Sequence, residues 1–282
     1  MMRFRPLALF LFIWAISFGC RQAEVIPRIS PEAEQLLLGN PSGATPDVRN
    51  YNNYLILKPQ YALSYSRDRG TPNWVSWHVS QDWLGNAPRQ DNFRSDPALP
   101  QGWYRVTASS YSGSGFDRGH NTPSADRTKS EEDNAATFVM TNMIPQAPRN
   151  NQETWGNLED YTRELVAQGQ EVYVIMGSYG VGGTGSNGLA RKIDEGLVTV
   201  PSRIWKVLVV LPDGQNDLSR ITAGTRVIAV NTPNNNSVRP EWTTYLTTVD
   251  AIEEATGYDL LHEIPDRIEE ALESQVDEGP AN

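Results

Sequence analysis

Short apolar runs recur along the chain and predict a protein built mainly of β-strands. Three early runs at 54–58, 61–66 and 73–79 read YLILK, YALSYS and NWVSWHV, and the last alternates large and small residues as a strand with one buried face does. Four later runs are rich in β-branched residues and predict central strands: EVYVIM at 171–176, GLVTV at 196–200, IWKVLVVL at 204–211 and TRVIAVN at 225–231. The run FVMTNMIP at 138–145 predicts a further core strand that ends in a loop.

Helical spacing is confined to a few places. After Asn151, apolar residues recur every three or four positions, and Gly169 follows as a stop signal. The predicted buried face of this helix consists of Trp155, Leu158, Thr162, Leu165 and Val166. Further helical patterns lie near 248–256 and 266–274. Because strands dominate and the helices are irregularly placed, the pattern favours an α+β fold over a repeating βαβ fold.

The N-terminus differs from the rest of the chain and predicts export. Arg3 and Arg5 precede an apolar run at 7–18, which is typical of a signal peptide and too short for an ordinary membrane span. Cys20, the only cysteine, lies where bacterial lipoproteins carry their lipidated cysteine, so it is a candidate lipid anchor. The expected location is therefore secreted, periplasmic or lipid-anchored at the cell envelope, and the mature domain can form no internal disulfide.

Length and charge predict the remaining organisation. A chain of 282 residues is near the upper limit for one hydrophobic core, so we expect one large domain. Four segments are predicted: a signal peptide at 1–20, an N-terminal tether at 21–50, the domain at 51–265 and an acidic tail at 266–282. The formal net charge is −10, but residues 251–282 alone carry ten acidic residues against Arg267. Net charge does not exclude a polyanionic ligand, because a local basic groove decides contact with phosphates.

Three features suggest chemistry that their surroundings do not support. The loop GVGGTG at 180–185 matches the dinucleotide-binding fingerprint, but no helical period follows the glycines to hold a pyrophosphate. The segment HEIP at 262–265 begins like a zinc-protease helix, yet it lacks the second histidine and places Pro265 where the helix would continue. His78 lies inside a predicted strand and is expected to be structural.

The segment SGFDRGHNTPSADR at 114–127 is a stronger candidate. His120, with a reference pKa of about 6.5, accepts a proton from water near neutral pH. Arg118 can contact phosphate or a carboxylate, and Gly119 allows close approach of a backbone or substrate. Taken alone, these few residues favour a surface loop with a structural histidine and ion pairs.

The predicted helix adds candidates for metal binding. At about 100° per residue, Asn151 projects into the same sector as Trp155 and Leu158, where a buried amide needs a partner. The amide is either a helix cap or, through its carbonyl oxygen, a ligand for a hard cation such as Mg²⁺. Glu159 and Arg163 follow at the edge of that face, either as an ordinary ion pair or as groups that hold metal-bound water and a phosphate oxygen.

Three longer blocks carry a family resemblance: RQDNFRSDPALP at 89–100, DRGHNTPSADR at 117–127 and TNMIPQAPRNNQETWGNLEDYTREL at 141–165. In residues, order and spacing they resemble the DNA/RNA non-specific endonucleases of the ββα-metal class, and among them the sugar-non-specific nucleases of cyanobacteria. The similarity runs from about residue 36 to residue 261, nearly the whole mature chain. It implies a ββα-metal nuclease fold of the α+β class, with a central, mainly antiparallel sheet flanked by helices.

The resemblance also implies a role for each matched residue. His120 would be the general base that activates water, and Arg89 would stabilise the charge that builds on the phosphorane. Asn151 would be the one side-chain ligand of a single Mg²⁺ or Mn²⁺ ion, which would stabilise the leaving 3′ oxygen. Glu159 would orient the water shell of that ion.

The implied substrates are DNA and RNA, single- or double-stranded, cut to leave a 5′-phosphate. Arg118 and Arg163 would add contacts to the substrate, and a site that grips the backbone is expected to show little sequence specificity. Asp117 and Asp126 are expected to anchor the loop rather than to bind metal. An inhibitor protein is a further candidate partner. Two alternatives stay open: a catalytically silent relative that binds polyanions at the cell surface, and a phosphodiesterase acting on small nucleotides.

Overall fold

The computed structural model describes residues 30–280, so the predicted signal peptide, Cys20 and the first part of the tether lie outside the described residues. The strands are β1 (Tyr54–Lys58), β2 (Tyr61–Ser66), β3 (Thr71–Val79), β4 (Asp117–His120), β5 (Met143–Gln146), β6 (Gln170–Tyr179), β7 (Gly183–Gly185), β8 (Gly188–Ala190), β9 (Lys192–Ile193), β10 (Val198–Thr199), β11 (Arg203–Pro212), β12 (Arg226–Pro233) and β13 (Leu246–Thr247). The α-helices are α1 (Pro31–Glu34), α2 (Glu131–Ala136), α3 (Gly156–Ala167), α4 (Asp217–Arg220), α5 (Val249–Thr256) and α6 (Asp266–Glu273).

A seven-stranded sheet forms the centre of the protein. Its order is β1-β2-β3-β6-β11-β12-β13, and every neighbouring pair is antiparallel. Strands β3, β6 and β11 are buried over almost their whole length because both faces of the sheet are covered. Such doubly covered strands read as continuous apolar runs in sequence. The predicted α+β fold with a central antiparallel sheet is confirmed.

Each face of the sheet has its own hydrophobic core. Successive side chains of a strand point to opposite faces, so Val174 of β6 lies in the first core and its neighbour Ile175 in the second. Helix α3 covers the first core through Leu158 and Leu165, whereas α5 and α6 cover the second. The predicted buried face of α3 is confirmed, and Gly169 ends the segment with a positive φ of 84°. The two helical layers therefore lie on opposite faces of the sheet.

Two predicted strands are wrong in extent or position. In the run at 138–145, Met140–Asn142 form a 3₁₀ turn and only β5 is extended. The Asn142 side chain causes this turn, since its amide nitrogen donates to the carbonyl oxygens of Thr122 and Thr137, each at 2.9 Å. The run at 196–200 contributes β10, which pairs with β9 in a separate two-stranded sheet rather than in the central one.

His78 and the glycine loop at 180–185, for which the sequence predicts no catalytic or binding chemistry, have structural roles. His78 joins the N-terminal segment to the sheet, with Nδ1 2.9 Å from a Glu34 oxygen and Nε2 3.1 Å from a Glu171 oxygen. Burial opposes a charge on this ring, but the hydrogen bonds to the two carboxylates outweigh it and raise the pKa of His78. The glycine loop at 180–185 leads into the β7–β8 hairpin, and no helix begins at its glycines.

The described parts of the predicted tether and tail pack onto the domain. Leu38 and Ala44 are buried in the second core, as is Leu272 of α6. Beyond α6, the carboxylate of Asp277 accepts two hydrogen bonds from Arg226 of β12, at 2.7 and 2.9 Å. Between residues 30 and 280, no helix has the length and apolar character needed to cross a membrane.

Candidate active site

A small ββα unit on the first face of the sheet carries the polar DRGH cluster at 117–120. Strand β4 holds the DRGH residues and pairs antiparallel with β5, so that His120 lies opposite Met143. A turn of π-helix, Asn150–Trp155, follows β5 and continues directly into α3. This connection brings Asn151 beside β4, and the two elements border an open cavity of about 310 Å³. Its lining includes Arg89, Asp91, Phe93, Tyr111, Phe116, Asp117, Arg118 and Asn151.

His120 is held by aromatic packing rather than by hydrogen bonds. Its ring meets the edges or faces of Phe93 and Phe138 at centroid distances of 5.6 and 5.0 Å. Within residues 30–280 neither ring nitrogen has a hydrogen-bond partner, and Nε2 is fully buried. Burial, together with the smaller effect of the positive charges on Arg89 and Arg118, lowers the pKa of His120 to about 3. The imidazole is therefore neutral at neutral pH and has a lone pair free to accept a proton.

The two arginines are seated on the same aromatic pair. The Arg118 guanidinium lies over the Phe93 ring at 4.1 Å, and that of Arg89 lies over Phe138 at 4.9 Å. Arg89 also donates to Ser124 Oγ at 2.8 Å and pairs with Asp91 at 2.7 Å. Stacking on an aromatic face fixes the plane of a guanidinium while leaving several of its N–H donors free. Both arginines thus present positive charge to the cavity beside His120.

Asn151 is oriented by a carboxylate on the facing strand. Its Nδ2 donates to Asp117 Oδ2 at 2.9 Å, and Gln152 Nε2 donates to the same oxygen at 2.9 Å. With the amide nitrogen committed to Asp117, the carbonyl oxygen Oδ1 accepts no hydrogen bond from any described residue. A side-chain carbonyl oxygen is a suitable ligand for Mg²⁺ or Mn²⁺, so the donor set fits a hard cation. Asp117 acts here as the anchor that the sequence predicts.

Asn151 does not project into the core as ideal helical spacing predicts. It is half-buried at the rim of the cavity, whereas its neighbour Asn150 is fully buried. The physical reason is the π turn, because a wider turn rotates each residue less than the 100° of an α-helix and shifts Asn151 out of the sector of Leu158.

Glu159 and Arg163 belong to a neighbouring ion network and do not line the cavity. Glu159 Oε1 lies 3.4 Å from Nζ of the buried Lys206, and burial raises the pKa of Glu159 while lowering that of Lys206. Arg163 donates to Asp126 Oδ1 at 2.8 Å and to Asp160 at 2.5 Å. Among the predicted site residues, Arg89, Arg118 and Asn151 line the cavity. His120 does not line it but packs against Phe93, which does, whereas Glu159 and Arg163 lie outside the lining.

Sequence reasoning missed three contributors to this arrangement. Phe93 and Phe138 pack against His120, and the two arginines stack on their rings. Lys206 is the charge partner of Glu159. Phe93 stands within the block that supplies Arg89, which is a weak signal. Phe138 and Lys206 belong to apolar runs that predict core strands, and nothing in those runs marks either residue as part of a site.

Comparisons with known proteins place these residues in a family context. A sequence model described as DNA/RNA non-specific endonuclease matches residues 42–267. A protein named Nuclease from Nostoc sp. is 54% identical over 93% of this chain and 95% of its own length. A mitochondrial nuclease, EXOG, from Xenopus laevis is 33% identical over 69% of this chain, which spans only 54% of that protein. The crystal structure of the EndoG/EndoGI complex shares the fold, with a TM-score of 0.68, 21% identity and coverage of 85% of this chain and 95% of that one.

Proposed function

The chain belongs to the DNA/RNA non-specific endonuclease family and is a hydrolase of the nuclease class, and we propose that it is an exported, metal-dependent endonuclease that cuts both DNA and RNA. One observation carries the proposal. A neutral histidine whose ring nitrogens have no hydrogen-bond partner packs against Phe93, at the wall of a cavity that two arginines and Asn151 also line. Such a set of groups suits the hydrolysis of a phosphodiester.

In the proposed reaction, neutral His120 accepts a proton from a water molecule as that water attacks phosphorus in line with the 3′ oxygen. The bond from phosphorus to the 3′ oxygen breaks, which leaves a 3′-hydroxyl and a 5′-phosphate. Arg89 and Arg118 donate hydrogen bonds to the non-bridging oxygens, where negative charge builds in the transition state. These contacts are to the backbone, so they accept DNA and RNA of any sequence.

Substrate binding makes His120 a stronger base. In the free protein, burial and the charges of Arg89 and Arg118 hold its pKa far below the ordinary value. A bound phosphate brings negative charge beside both arginines and offsets their effect on the ring, so the pKa of His120 rises above its value in the free protein, although burial still lowers it. The histidine is thus neutral and ready before binding, and it gains proton affinity when the substrate is in place.

The chain offers Asn151 Oδ1 as the protein ligand for one Mg²⁺ or Mn²⁺ ion. The bound ion would supply positive charge near the leaving 3′ oxygen. Asp117 accepts a hydrogen bond from the amide nitrogen, which leaves the oxygen Oδ1 free to bind the ion. Glu159 as an organiser of nearby water stays a prediction from the family resemblance.

Arg163 is proposed to help position Arg89 rather than to contact the substrate, because its guanidinium already pairs with the carboxylates of Asp126 and Asp160. Its partner Asp126 closes the 3₁₀ turn Ser124–Asp126, and Ser124 in that turn accepts the hydrogen bond from Arg89. Removing Arg163 would leave Asp126 with its hydrogen bond from Trp77 Nε1 but without its charge partner, and would loosen the support of Arg89. A direct phosphate contact by Arg163 stays a prediction from the resemblance.

A digestion assay tests the proposal. Supercoiled plasmid, a long RNA and a dinucleotide are incubated with the full chain in Mg²⁺ or Mn²⁺, with and without EDTA. We expect both polymers to be cut faster than the dinucleotide, EDTA to stop the reaction, and His120→Ala to reduce the rate by about 10²- to 10⁴-fold. His262→Ala is the matched control, because His262 bonds to the backbone of Asn40 and Asp259, away from the cavity. Uncut polymers with the wild type would support the silent polyanion binder, and a preference for the dinucleotide would support the small-nucleotide phosphodiesterase.

Export is proposed from the leader alone. The charged start and short apolar run at 1–20 direct the chain out of the cytoplasm, with Cys20 as the candidate anchor. Fractionation of bacterial cells that express the full chain should find it outside the cytoplasm. Incorporation of labelled palmitate that is lost in Cys20→Ala would establish the anchor, and release of an unlabelled protein would favour plain secretion.

A further inference from the structure

The irregular segment that carries Arg89 is fixed by the side chain of a residue on another element, Asn134 of α2. Residues 86–93 form neither helix nor strand, so no regular ladder of backbone hydrogen bonds sets their position. Of the backbone N–H groups of residues 89–93, that of Gln90 alone has a hydrogen-bond partner among the described residues, and it donates to Asn134 Oδ1 at 3.0 Å. The backbone next to Arg89 is therefore held by Asn134.

Asn134 also holds the loop that follows His120. Its Nδ2 donates to the backbone carbonyl oxygen of Ser124 at 2.8 Å, and Ser124 Oγ accepts a hydrogen bond from Arg89 Nη1 at 2.8 Å. The carbonyl oxygen and the amide nitrogen of Asn134 are thus both paired, and the residue is buried. One amide joins the backbone beside Arg89 to the backbone of the residue that Arg89 contacts.

The helix that carries Asn134 is itself fixed to the central sheet. At its start, Ser130 caps α2 by accepting a hydrogen bond from the Asp133 backbone N–H at 3.0 Å. At its end, the carbonyl oxygen of Ala136 accepts a hydrogen bond at 2.8 Å from the hydroxyl of Tyr61, a fully buried residue of β2. A side chain on an anchored helix can hold an irregular segment in place, as supporting residues do for functional side chains.

We propose that Asn134 is a positioning residue for Arg89 and fixes its guanidinium where charge builds during phosphodiester cleavage. This role rests on the proposed function, in which Arg89 stabilises the transition state. The other contacts of Arg89 hold it less firmly, because 52% of its side chain is exposed and its charge partner Asp91 is exposed as well. The face of Phe138, 4.9 Å away, restrains the plane of the guanidinium but does not point its N–H groups at one place.

Loss of Asn134 should lower kcat and leave KM nearly unchanged. A misplacement of about 1 Å can reduce a rate by about 100-fold, and charge on the non-bridging oxygens is greater in the transition state than in the bound substrate. On a fluorogenic oligonucleotide in Mg²⁺, Asn134→Ala should therefore lower kcat by about 10- to 100-fold and change KM by less than about threefold. In an Arg89→Ala background the same substitution should cost less than about twofold, because a guanidinium that is absent cannot be misplaced.

Two further variants complete the experiment. Asn73→Ala is the matched control, because Asn73 is also buried, donates side-chain hydrogen bonds to Asn52 and Ser64 at 2.8 and 2.9 Å, and does not line the cavity. It should leave kcat within about twofold of the wild type. Asn134→Asp keeps the size of the side chain and an acceptor for Gln90 but loses the donor to Ser124, so it repeats the test if circular dichroism shows that Asn134→Ala is unfolded.

The outcomes separate this role from the proposed function. Equal losses of kcat with and without Arg89 would overturn the proposal and leave Asn134 as a purely structural residue. An unchanged kcat in the folded Asn134 variants would overturn it as well. A wild type that leaves DNA and RNA uncut would instead overturn the proposed function, and the role of Asn134 with it.

Discussion

Replacing His120 by asparagine tests whether the folded protein holds this ring neutral. Burial, reinforced by Arg89 and Arg118, lowers the pKa of His120 to about 3, whereas the same side chain in an unfolded chain titrates near 6.5. Between these values the unfolded chain binds a proton that the folded protein does not. The stability associated with His120 is therefore complete above about pH 6.5 and is lost progressively as the pH falls toward 3.

The magnitude follows from the two pKa values. At pH 4.5 the unfolded histidine is about two pH units below its pKa, so protonation favours the unfolded state by a factor of about 100, or about 2.7 kcal/mol. The result depends little on the folded value, since any pKa below about 4 leaves the ring mostly neutral at this pH. His78, whose pKa is raised by its acidic partners, responds in the opposite direction and contributes equally to both proteins.

The assay is urea unfolding followed by tryptophan fluorescence, with free energies of unfolding measured at pH 7.5 and pH 4.5. Asparagine does not titrate, so the wild type should lose about 2.7 kcal/mol more than His120→Asn between the two pH values. Equal losses would refute the claim that His120 is held neutral. A larger loss in the variant would show that the folded protein stabilises the charged ring.

Two further predictions concern the helix behind the cavity. Asn150→Ala should lower the free energy of unfolding, measured by urea unfolding, by about 3 kcal/mol, because Asn150 is buried and makes three side-chain hydrogen bonds. Asn151→Ala should change that free energy by less than about 1 kcal/mol. It should instead weaken metal binding, measured by metal titration. Lys206→Met should destabilise the protein by about 3–5 kcal/mol, because it leaves Glu159 without its charge partner. Adding Glu159→Gln should restore most of the lost stability. A double variant that is no more stable than Lys206→Met would contradict this pairing.

The central sheet is predictable from sequence because its inner strands are covered on both faces. That environment selects continuous apolar, β-branched runs, as in β6 and β11, which need no long-range information to be recognised. The run at 196–200 has the same composition, and its residues Val198 and Val200 are indeed buried, in a third and smaller core. Composition predicts burial of a strand, but it does not say which sheet the strand joins.

The candidate site residues can be recognised in the sequence for a different reason. His120 and its neighbours lie in short segments with many polar residues in a fixed order, and such blocks are specific when they occur together. The residues that pack against them are not predictable in this way, because Phe138 and Lys206 contact their partners only in the tertiary fold. Contacts of this kind, such as that between Glu159 and Lys206, join residues 47 positions apart in sequence.

The adjacent asparagines show most clearly where sequence reasoning stops. Asn150 is buried, donates from Nδ2 to Thr232 Oγ1 and to the Pro233 carbonyl oxygen at 2.9 Å each, and accepts from Gln146 Nε2 at 2.9 Å. Asn151 instead lines the cavity and donates from Nδ2 to Asp117 Oδ2 at 2.9 Å. In a regular α-helix the hydrophobic period that starts at Trp155 would put Asn151 inside, so the π turn decides which of two identical residues is buried and which lines the cavity. No local pattern in NNQETW distinguishes a π turn from an α turn, because the choice is made by the partners on β5 and β12 that only the folded chain brings to Asn150.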